Sequence, residues 1–282
     1  MSEINRSYLF VPADRPERYA KALASGADGV IVDLEDAIAP ASKDTARQAL
    51  ANWLEHVGDA SIVVRINGFG TPWFDADRDL VTSSPNVAVV MLPKADADSP
   101  WPVLADKPVL ALVESAAGIA AARAIARAPQ VRRLAFGSID LSLDLGVEGD
   151  DDALLYVRSE LVLASRLANL PPPVDGVCTA INDPSILATH VQRARRLGFG
   201  GVLCIHPSQV AAVNSGFEPS AEQLAWARRV IAASAQSGGA AVAVDGKMVD
   251  RPVLIRAEAI VAASRTQPVS RNVHPSRAAS RR

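Results

Sequence analysis

The 282-residue sequence has only two cysteines and no apolar run that approaches the length of a membrane span. Cys178 and Cys204 each lie in an apolar stretch, and their spacing fits no pattern of metal ligands. Two such thiols in a chain of this length exclude a disulfide framework and indicate a reducing compartment. The first residues are polar and lack the apolar segment of a signal peptide. We therefore expect a cytoplasmic protein with no membrane partner.

Acidic residues outnumber basic residues in most of the chain, although the formal net charge is only −2. Of the 29 Lys and Arg residues, five lie in the last nineteen positions, Ser264–Arg282, which contain no acid. The other 24 (29 minus 5) face 31 Asp and Glu residues, so the body of the chain is acidic. This balance argues against a nucleic-acid partner for the folded part. The tail, residues 265–282, is rich in Ser, Pro and Arg and is predicted to be disordered.

Short apolar runs alternate with helix-like segments along the first 215 residues. The eight runs are residues 8–11, 29–32, 62–66, 87–92, 109–113, 133–136, 174–177 and 201–205. Among the predicted helices between them are residues 43–55, 119–127, 153–168 and 184–197. This βα alternation predicts an α/β protein with a (β/α)8 TIM barrel over residues 1–215. A doubly wound open sheet is the competing architecture, but the sequence lacks a glycine-rich nucleotide loop.

The pattern changes after the eighth run. Residues 221–235 predict a helix, and residues 240–249 predict a small hairpin with Asp245-Gly246 as its turn. A last helix is predicted at residues 256–264. Because residues 216–264 are too few for a second domain, we expect this C-terminal extension to pack on the barrel or on a neighbouring subunit.

Polar and charged side chains follow the apolar runs. Residues that follow the strands of a TIM barrel face one common pocket. The side chains predicted there are Arg15, Asp33, Glu35, Asp36, Arg65, Asn67, Lys94, Glu114, Asp140, Thr179, Asn182, Asp183 and His206.

Glu114 and Asp140 end neighbouring strands of the predicted barrel. Two carboxylates suit Mg2+, or Mn2+, which prefer oxygen ligands and leave other coordination positions to water and substrate. Each acid also has a structural interpretation. Glu114 would cap the helix that starts near Ala116, and Asp140 would be the N-cap of the helix after its own strand. The proximity of the two acids favours the metal site.

Three other strand-end side chains have two interpretations each. Arg65 could bind a carboxylate or a keto-acid oxygen at two points, or could pair with the acids of the Asp33–Asp36 segment. Lys94 could bind an anionic substrate or neutralise the acidic mouth. His206 could be a general base, but a packed structural residue is favoured there.

Seven separated motifs, in order, resemble the HpcH/HpaI aldolase and citrate lyase family, and most closely its citrate lyase β-subunit-like (CitE-like) branch. They are RSYLFVPADRPERYAKALASGADGVIVDLEDA, VVRINGFGTPWF, VMLPKAD, ALVESAAGI, GSIDLSLDLG, RRLGFGGVLCIHPSQV and DGKMVDRPV. Together they cover the chain from Arg6 to about Ala263.

The resemblance implies a TIM barrel, a Mg2+ site, and cleavage or formation of carbon–carbon bonds through an enolate. By motif, Glu114 and Asp140 would be the metal ligands, and Arg65 would bind substrate carboxylate or carbonyl oxygens. Arg15 and the Asp33–Asp36 loop would line the site. Arg15, Asp36 and Lys94 would be among the substrate contacts.

The resemblance also gives the C-terminal extension a role. In acyl-CoA lyases of this branch, the aspartate of the motif seen here as Met248-Val249-Asp250 is the catalytic acid/base, and a neighbouring subunit supplies it. Asp250 would take that part beside Arg65. Oligomers of the family are commonly trimers or multiples of trimers, so a homotrimer is implied.

Two departures from the family pattern bear on the substrate. Citrate lyase β subunits usually carry Glu directly before the metal-binding Asp, where this chain has Ile139. Pyruvate-type aldolases rely on a histidine after an early strand, whereas the first histidine here is His56. We expect a Mg2+-dependent lyase acting on malyl-, citramalyl- or citryl-CoA. The alternatives are a class II pyruvate-dependent aldolase acting on free 4-hydroxy-2-oxo acids, and a citrate lyase subunit acting on citryl-acyl-carrier protein.

Overall fold

The structure is a computed structural model that describes residues 5–149, 152–238 and 240–265. The chain divides into two compact units, the first ending at Phe217 and the second beginning at Glu218. The predicted tail at 265–282 lies outside the described residues, except for the backbone of Arg265, which ends the last helix.

Eight parallel strands of the described chain close into a barrel in sequence order, so that β1 pairs with both β2 and β8. The strands are β1 Ser7–Pro12, β2 Gly29–Asp33, β3 Ile62–Arg65, β4 Val87–Leu92, β5 Val109–Val113, β6 Val131–Phe136, β7 Val174–Asp175 and β8 Gly201–Cys204. The predicted (β/α)8 barrel is confirmed. β7 is shorter than its predicted residues 174–177.

Helices surround the barrel strands. They are α1 Tyr19–Leu23, α2 Lys43–Leu54, α3 Phe74–Ser83, α4 Ala116–Ala120, α5 Ala122–Ile125, α6 Ser138–Leu145, α7 Leu155–Leu167, α8 Pro184–Leu197 and α9 Val210–Phe217. Short 3-10 turns occur at Pro16–Arg18, Pro40–Ser42, Trp101–Leu104, Asp152–Leu154 and Pro207–Gln209. The single helix predicted at 119–127 is wrong, because α4 and α5 share Ala121 as a non-helical boundary residue.

Alternation along the strands divides the barrel's apolar residues into two layers. One set, which includes Ile31, Met91 and Leu110, packs inside the barrel. Residues of opposite parity, such as Val32 and Leu92, pack in the larger cluster shared with the surrounding helices. Burial of each large aliphatic side chain stabilises the fold by about 1.5–3 kcal/mol. Because side chains alternate between these two apolar layers along each strand, polar side chains gather at the strand ends.

The N-terminal end of the barrel is filled by a buried cation. Arg133, on β6, donates through Nε to the carbonyl of Pro172 at 2.7 Å and through Nη1 to that of Asn5 at 2.6 Å. Its guanidinium lies 5.7 Å from the ring centroid of Tyr8. Burial lowers the pKa of Arg133. Arg133 therefore satisfies backbone carbonyls where the strands begin.

The second unit contains two helices and a hairpin. Its elements are α10 Ala221–Gln236, β9 Val242–Val244, β10 Lys247–Val249 and α11 Arg251–Arg265. Asp245 and Gly246 have φ of 52° and 74°, as the tight hairpin turn requires. Val249 is buried in an apolar cluster between the helices. α11 begins five residues before the predicted 256. None of the helices described is both long and apolar enough to cross a bilayer.

Candidate active site

Strand register brings several of the predicted polar residues together at the C-terminal end of the barrel. Pro12 pairs with Asp33 across β1 and β2, and Asp33 pairs with Arg65 across β2 and β3. Val113, the last residue of β5, pairs with Phe136, the last residue of β6. Side chains that follow these positions therefore share one mouth, where the active sites of TIM barrels lie.

Arg65 is held by acids at the end of β2 and in the loop that follows it. Its Nε and Nη2 donate to the two carboxylate oxygens of Asp33 at 2.7 and 2.6 Å, a bidentate pair. Nη1 lies 3.1 Å from Glu35 Oε2 and 3.4 Å from Asp36 Oδ2. Burial disfavours the charge of Arg65, but its hydrogen bonds to Asp33 raise its pKa above the ordinary value. The ion-pair interpretation of Arg65 is thus realised in this structure.

Glu35 joins two cations. Its Oε1 accepts a hydrogen bond from Lys94 Nζ at 3.0 Å, while Oε2 has no hydrogen bond despite its proximity to Arg65. Burial raises the pKa of Glu35, and the charges of Arg65 and Lys94 oppose that rise. The Lys94 side chain is 59% exposed, so its ammonium is open to a ligand. Both predicted roles of Lys94, neutralisation and anion binding, are compatible with this position.

Glu114 is a buried acid of the mouth that forms no ion pair with a cationic side chain of the described residues. It is only 3% exposed, and one hydrogen bond reaches it, from the Lys94 N–H to Oε1 at 2.9 Å. Lys94 makes this bond in the left-handed backbone region, with φ of 51°. Burial, reinforced by the charges of Glu35 and Asp140, raises the pKa of Glu114 to about 8. A cation at this carboxylate would relieve both the desolvation and the repulsion.

The helix-cap interpretations of the two predicted metal ligands are wrong. Ser115, not Glu114, caps α4, since its hydroxyl accepts the N–H of Gly118 at 3.0 Å. Gly137 precedes α6, so Asp140 lies within its first turn rather than at its N-cap. Neither acid is therefore occupied by capping.

The donor set fits a hard divalent cation. Glu114 is buried and Asp140 is partly exposed, and their charges repel each other. Over the described residues, no group of three or more His, Cys, Asp or Glu side chains is arranged to hold a metal. A pair of carboxylates is nevertheless what Mg2+ commonly takes from a protein, because it keeps several water ligands.

Backbone packing fixes the position of Glu114. A Cβ built on Gly137 would lie 2.5 Å from Glu114 Cβ and closer still to Oε2. Only a residue without a side chain fits there, at the turn between β6 and α6. Gly137 was not recognised from the sequence, although its place three residues before Asp140 is a usable signal.

The remaining predicted residues of the barrel lie around the mouth or serve the fold. Arg15 and Asp36 are on loops after β1 and β2, with side chains 55% and 54% exposed. Asp183 caps α8 by accepting backbone N–H groups. His206 caps the turn Pro207–Gln209, which is a structural role, but its side chain is exposed rather than packed as predicted. Thr179 and Asn182 lie on the loop after β7.

Asp250 lies in the second unit. It is exposed, and its Oδ1 accepts the N–H of Val253 at 3.3 Å at the start of α11. In a single chain this aspartate is therefore a helix cap with a solvent-facing carboxylate.

A model of the HpcH/HpaI aldolase/citrate lyase family matches residues 6–100 and 103–207. The chain belongs to this family. A citrate lyase subunit beta-like protein of Mycobacterium tuberculosis is 42% identical over 266 residues, which cover 90% of this chain and 93% of that protein. A (3S)-malyl-CoA thioesterase of Cereibacter sphaeroides is 35% identical over 274 residues, covering 91% and 96%.

A solved structure extends the similarity to three dimensions. The protein CitE from Mycobacterium tuberculosis, in complex with magnesium, acetoacetate and coenzyme A, matches with a TM-score of 0.83 and 39% identity. The match covers 94% of this chain and 99% of that one. The predicted family and its lyase class are confirmed.

Proposed function

We propose that this chain is a Mg2+-dependent lyase that cleaves or forms a 3-hydroxy-acyl thioester such as malyl-, citramalyl- or citryl-CoA. The observation that carries the proposal is the buried Glu114 carboxylate at the C-terminal mouth, which interacts electrostatically with Asp140 and with the exposed Lys94 ammonium. The magnesium and coenzyme A of the CitE relative, and the malyl-CoA of the thioesterase relative, support this substrate class.

In this proposal Glu114 and Asp140 hold the metal. When bound, Mg2+ supplies a Lewis acid that polarises a substrate oxygen at the bond to be broken. Because ligation requires the charged carboxylate and the pKa of Glu114 without metal is about 8, Mg2+ binding at neutral pH would release a proton from Glu114. Mn2+ is an acceptable substitute for the same oxygen donors.

Arg65 and Lys94 supply the positive charge for the 2-keto acid portion of the substrate. Arg65 is fixed by Asp33 before substrate arrives, so it loses little entropy on binding. The Lys94 ammonium, more exposed, meets an entering carboxylate. Asp36 and Arg15, both half-exposed on neighbouring loops, line the entry.

The role of catalytic acid/base is assigned to the Asp250 carboxylate. It would take the hydroxyl proton of the substrate in cleavage, or a proton from the α-carbon of the thioester in condensation. Because it is exposed, the Asp250 carboxylate is available to a site on a neighbouring subunit. The assembly would be a homotrimer, or a multiple of trimers, and would work in the cytoplasm. Partial burial at such an interface would raise the pKa of this carboxylate toward the working range of a general base.

The reaction is tested on the purified chain after removal of metal. Malyl-, citramalyl- and citryl-CoA are supplied with and without Mg2+, and release of the keto acid is measured. Mg2+-dependent cleavage of a thioester is expected. Cleavage of free 4-hydroxy-2-oxo acids alone would establish the aldolase instead. Activity that appears only with citryl-acyl-carrier protein would establish the citrate lyase subunit.

Asp250 is tested by Asp250→Asn. Asn caps a helix as well as Asp does, so α11 is preserved while the acid is lost. Turnover is expected to fall by about 10²–10⁴-fold with Mg2+ affinity unchanged. The matched control is Asp245→Asn, another exposed acid of the same unit, at a turn position that Asn tolerates. Full activity of Asp250→Asn, or of a monomer in sedimentation, would contradict the shared site.

A further inference from the structure

A buried lysine lies beneath the candidate active site. Lys43, the first residue of α2, is almost fully buried. Its Nζ donates to the carbonyls of Leu34 at 2.9 Å and Glu35 at 2.7 Å, and to Asn67 Oδ1 at 2.7 Å. A buried ammonium is costly unless its three donors are satisfied, and here all three are. None of the three acceptors is a carboxylate oxygen.

Local sequence preference does not explain a lysine at this position. The N-terminus of a helix disfavours cations, because the helix dipole is positive there. Burial lowers the pKa of Lys43, which the nearby charges of Asp33 and Glu35 oppose. Only tertiary contacts, including the ring of Trp73 at 5.3 Å from Nζ, compensate for this placement.

Asn67 extends the contact to α3. Its Nδ2 donates to the Leu34 carbonyl at 3.0 Å and to Asp77 Oδ2 at 2.6 Å, and its backbone N–H donates to the same Asp77 oxygen at 2.9 Å. Arg47 Nε donates to the other Asp77 oxygen at 2.6 Å. Asn67 and Asp77 are buried. Lys43 is thereby tied to the loop that follows β3 as well as to the loop that follows β2.

The loop after β2 is held from both sides. Lys43 Nζ donates to the loop carbonyls of Leu34 and Glu35. On the other side, the Asp33 carboxylate accepts the N–H groups of Glu35 at 2.9 Å and Ala37 at 3.1 Å. Both hydrogen-bonding directions of the Glu35 backbone are used. The side chain that this backbone carries is the one that joins Lys94 and Arg65.

We infer that Lys43 is a positioning residue of the candidate active site: it fixes the backbone of Glu35, so that the Glu35 carboxylate holds the Lys94 and Arg65 cations in place for the anionic substrate. The inference rests on the proposed function for the identity of that substrate. Lys43 itself contacts neither the proposed metal ligands nor the open side of the mouth.

The chain offers a matched control at the other end of the barrel. Lys107 Nζ donates to the carbonyls of Ser84 at 2.7 Å and Val87 at 2.8 Å, near the start of β4. Burial lowers the pKa of Lys107 as it does that of Lys43. Lys43→Met and Lys107→Met each remove an ammonium that donates to backbone carbonyls, but only the first ammonium holds a loop of the candidate active site.

The test is residue-resolved hydrogen exchange on the full chain. In Lys43→Met the amides of Glu35 and Ala37 are expected to exchange about tenfold faster than in the wild type, because the loop opens locally. In Lys107→Met they exchange at the wild-type rate. Lys43→Gln retains two donors and is a milder variant that is expected to give an intermediate acceleration. Wild-type exchange in the Lys43 variants, or equal acceleration in Lys107→Met, would overturn the inference.

A second arm measures binding of pyruvate to the Mg2+-supplied protein by calorimetry. Lys43→Met is expected to weaken the affinity for pyruvate about tenfold and to leave the affinity for Mg2+ unchanged, as is typical when a supporting contact is lost. Lys107→Met leaves both affinities unchanged. If wild-type protein binds neither ligand, the proposed function fails, and the exchange rates still decide the role of Lys43.

Discussion

Both ends of the barrel bury charged side chains, but they differ in the partners that the chain gives to those charges. At the N-terminal end, Arg133 donates to the carbonyls of Asn5 and Pro172 and lies against Tyr8. At the C-terminal end, Glu114 receives one backbone hydrogen bond, and burial together with the neighbouring acids raises its pKa. At the first end the chain itself supplies carbonyl partners to the buried cation, with Arg133 Nη2 left without a hydrogen bond, whereas the second end would gain from an added cation. That difference, rather than burial alone, marks the functional end.

The largest effect is expected from removing the charges of Glu114 and Asp140. Glu114→Gln and Asp140→Asn should each lower Mg2+-dependent turnover by about 10²–10³-fold or more, since each removes a charged ligand of the metal that would polarise the reacting oxygen. Steady-state kinetics over a Mg2+ titration measures this, and circular dichroism checks the fold. Glu160→Gln, which removes an ion pair with Arg123 on the outside of the barrel, should leave turnover unchanged. Full activity in both site variants would remove the proposed metal site.

A methyl group at Gly137 should be the next most damaging change. Gly137→Ala pushes a Cβ into Glu114 and should lower turnover by about 10–100-fold through displacement of that ligand. Gly201→Ala is the counterpart at the N-terminal end, where the Cβ would meet the Arg6 carbonyl oxygen at 2.5 Å. It should lower stability without a selective loss of turnover. Equal kinetic effects of the two changes would erase the distinction between the ends.

Loss of Arg133 should affect folding and not chemistry. Arg133→Met leaves the carbonyls of Asn5 and Pro172 without this donor, which should lower the free energy of unfolding by about 1–3 kcal/mol. Urea unfolding gives the stability, and kcat/KM of the folded fraction should stay at the wild-type value. A selective fall in kcat/KM would show that the closed end also serves the reaction.

The last expected effect, which needs no substitution, is a pH dependence of the stability of the metal-free wild-type protein. Because the folded pKa of Glu114 is about 8 and its ordinary value is 4.5, the folded state holds a proton that the unfolded state releases between these values. Stability therefore falls as pH rises from 4.5 toward 8. Glu35, whose pKa is also raised, acts in the same direction. Thermal unfolding of Glu114→Gln should show a flatter dependence, and a slope equal to that of the wild type would contradict the assignment.

Local sequence signals predicted most of the fold. α8 has its predicted bounds of residues 184–197, since Asp183 caps its start and Gly198, with φ of 97°, ends it. Most strands were recognisable because their central residues are apolar, as in strands covered on both faces, whereas β6 also carries two arginines. The break between α4 and α5 at Ala121 carries no proline or glycine, so nothing in the sequence revealed it.

The site was predictable as a set of strand ends but not as a set of contacts. Glu114 and Asp140 were named from their positions, whereas it is the structure that shows Ser115 and Gly137 in the N-cap positions instead. Lys43 was missed because its partner Asn67 is 24 residues away and its other acceptors are backbone carbonyls. Such partners are set by tertiary packing, which no local pattern encodes.

The central claim is that Glu114 and Asp140 hold the metal at the C-terminal end of the barrel. Crystals grown with Mn2+ and pyruvate, examined by anomalous scattering, test it most directly. A peak at about 2.0–2.3 Å from one carboxylate oxygen of each residue, with pyruvate beside it, is the predicted result. A peak that contacts neither carboxylate would contradict it.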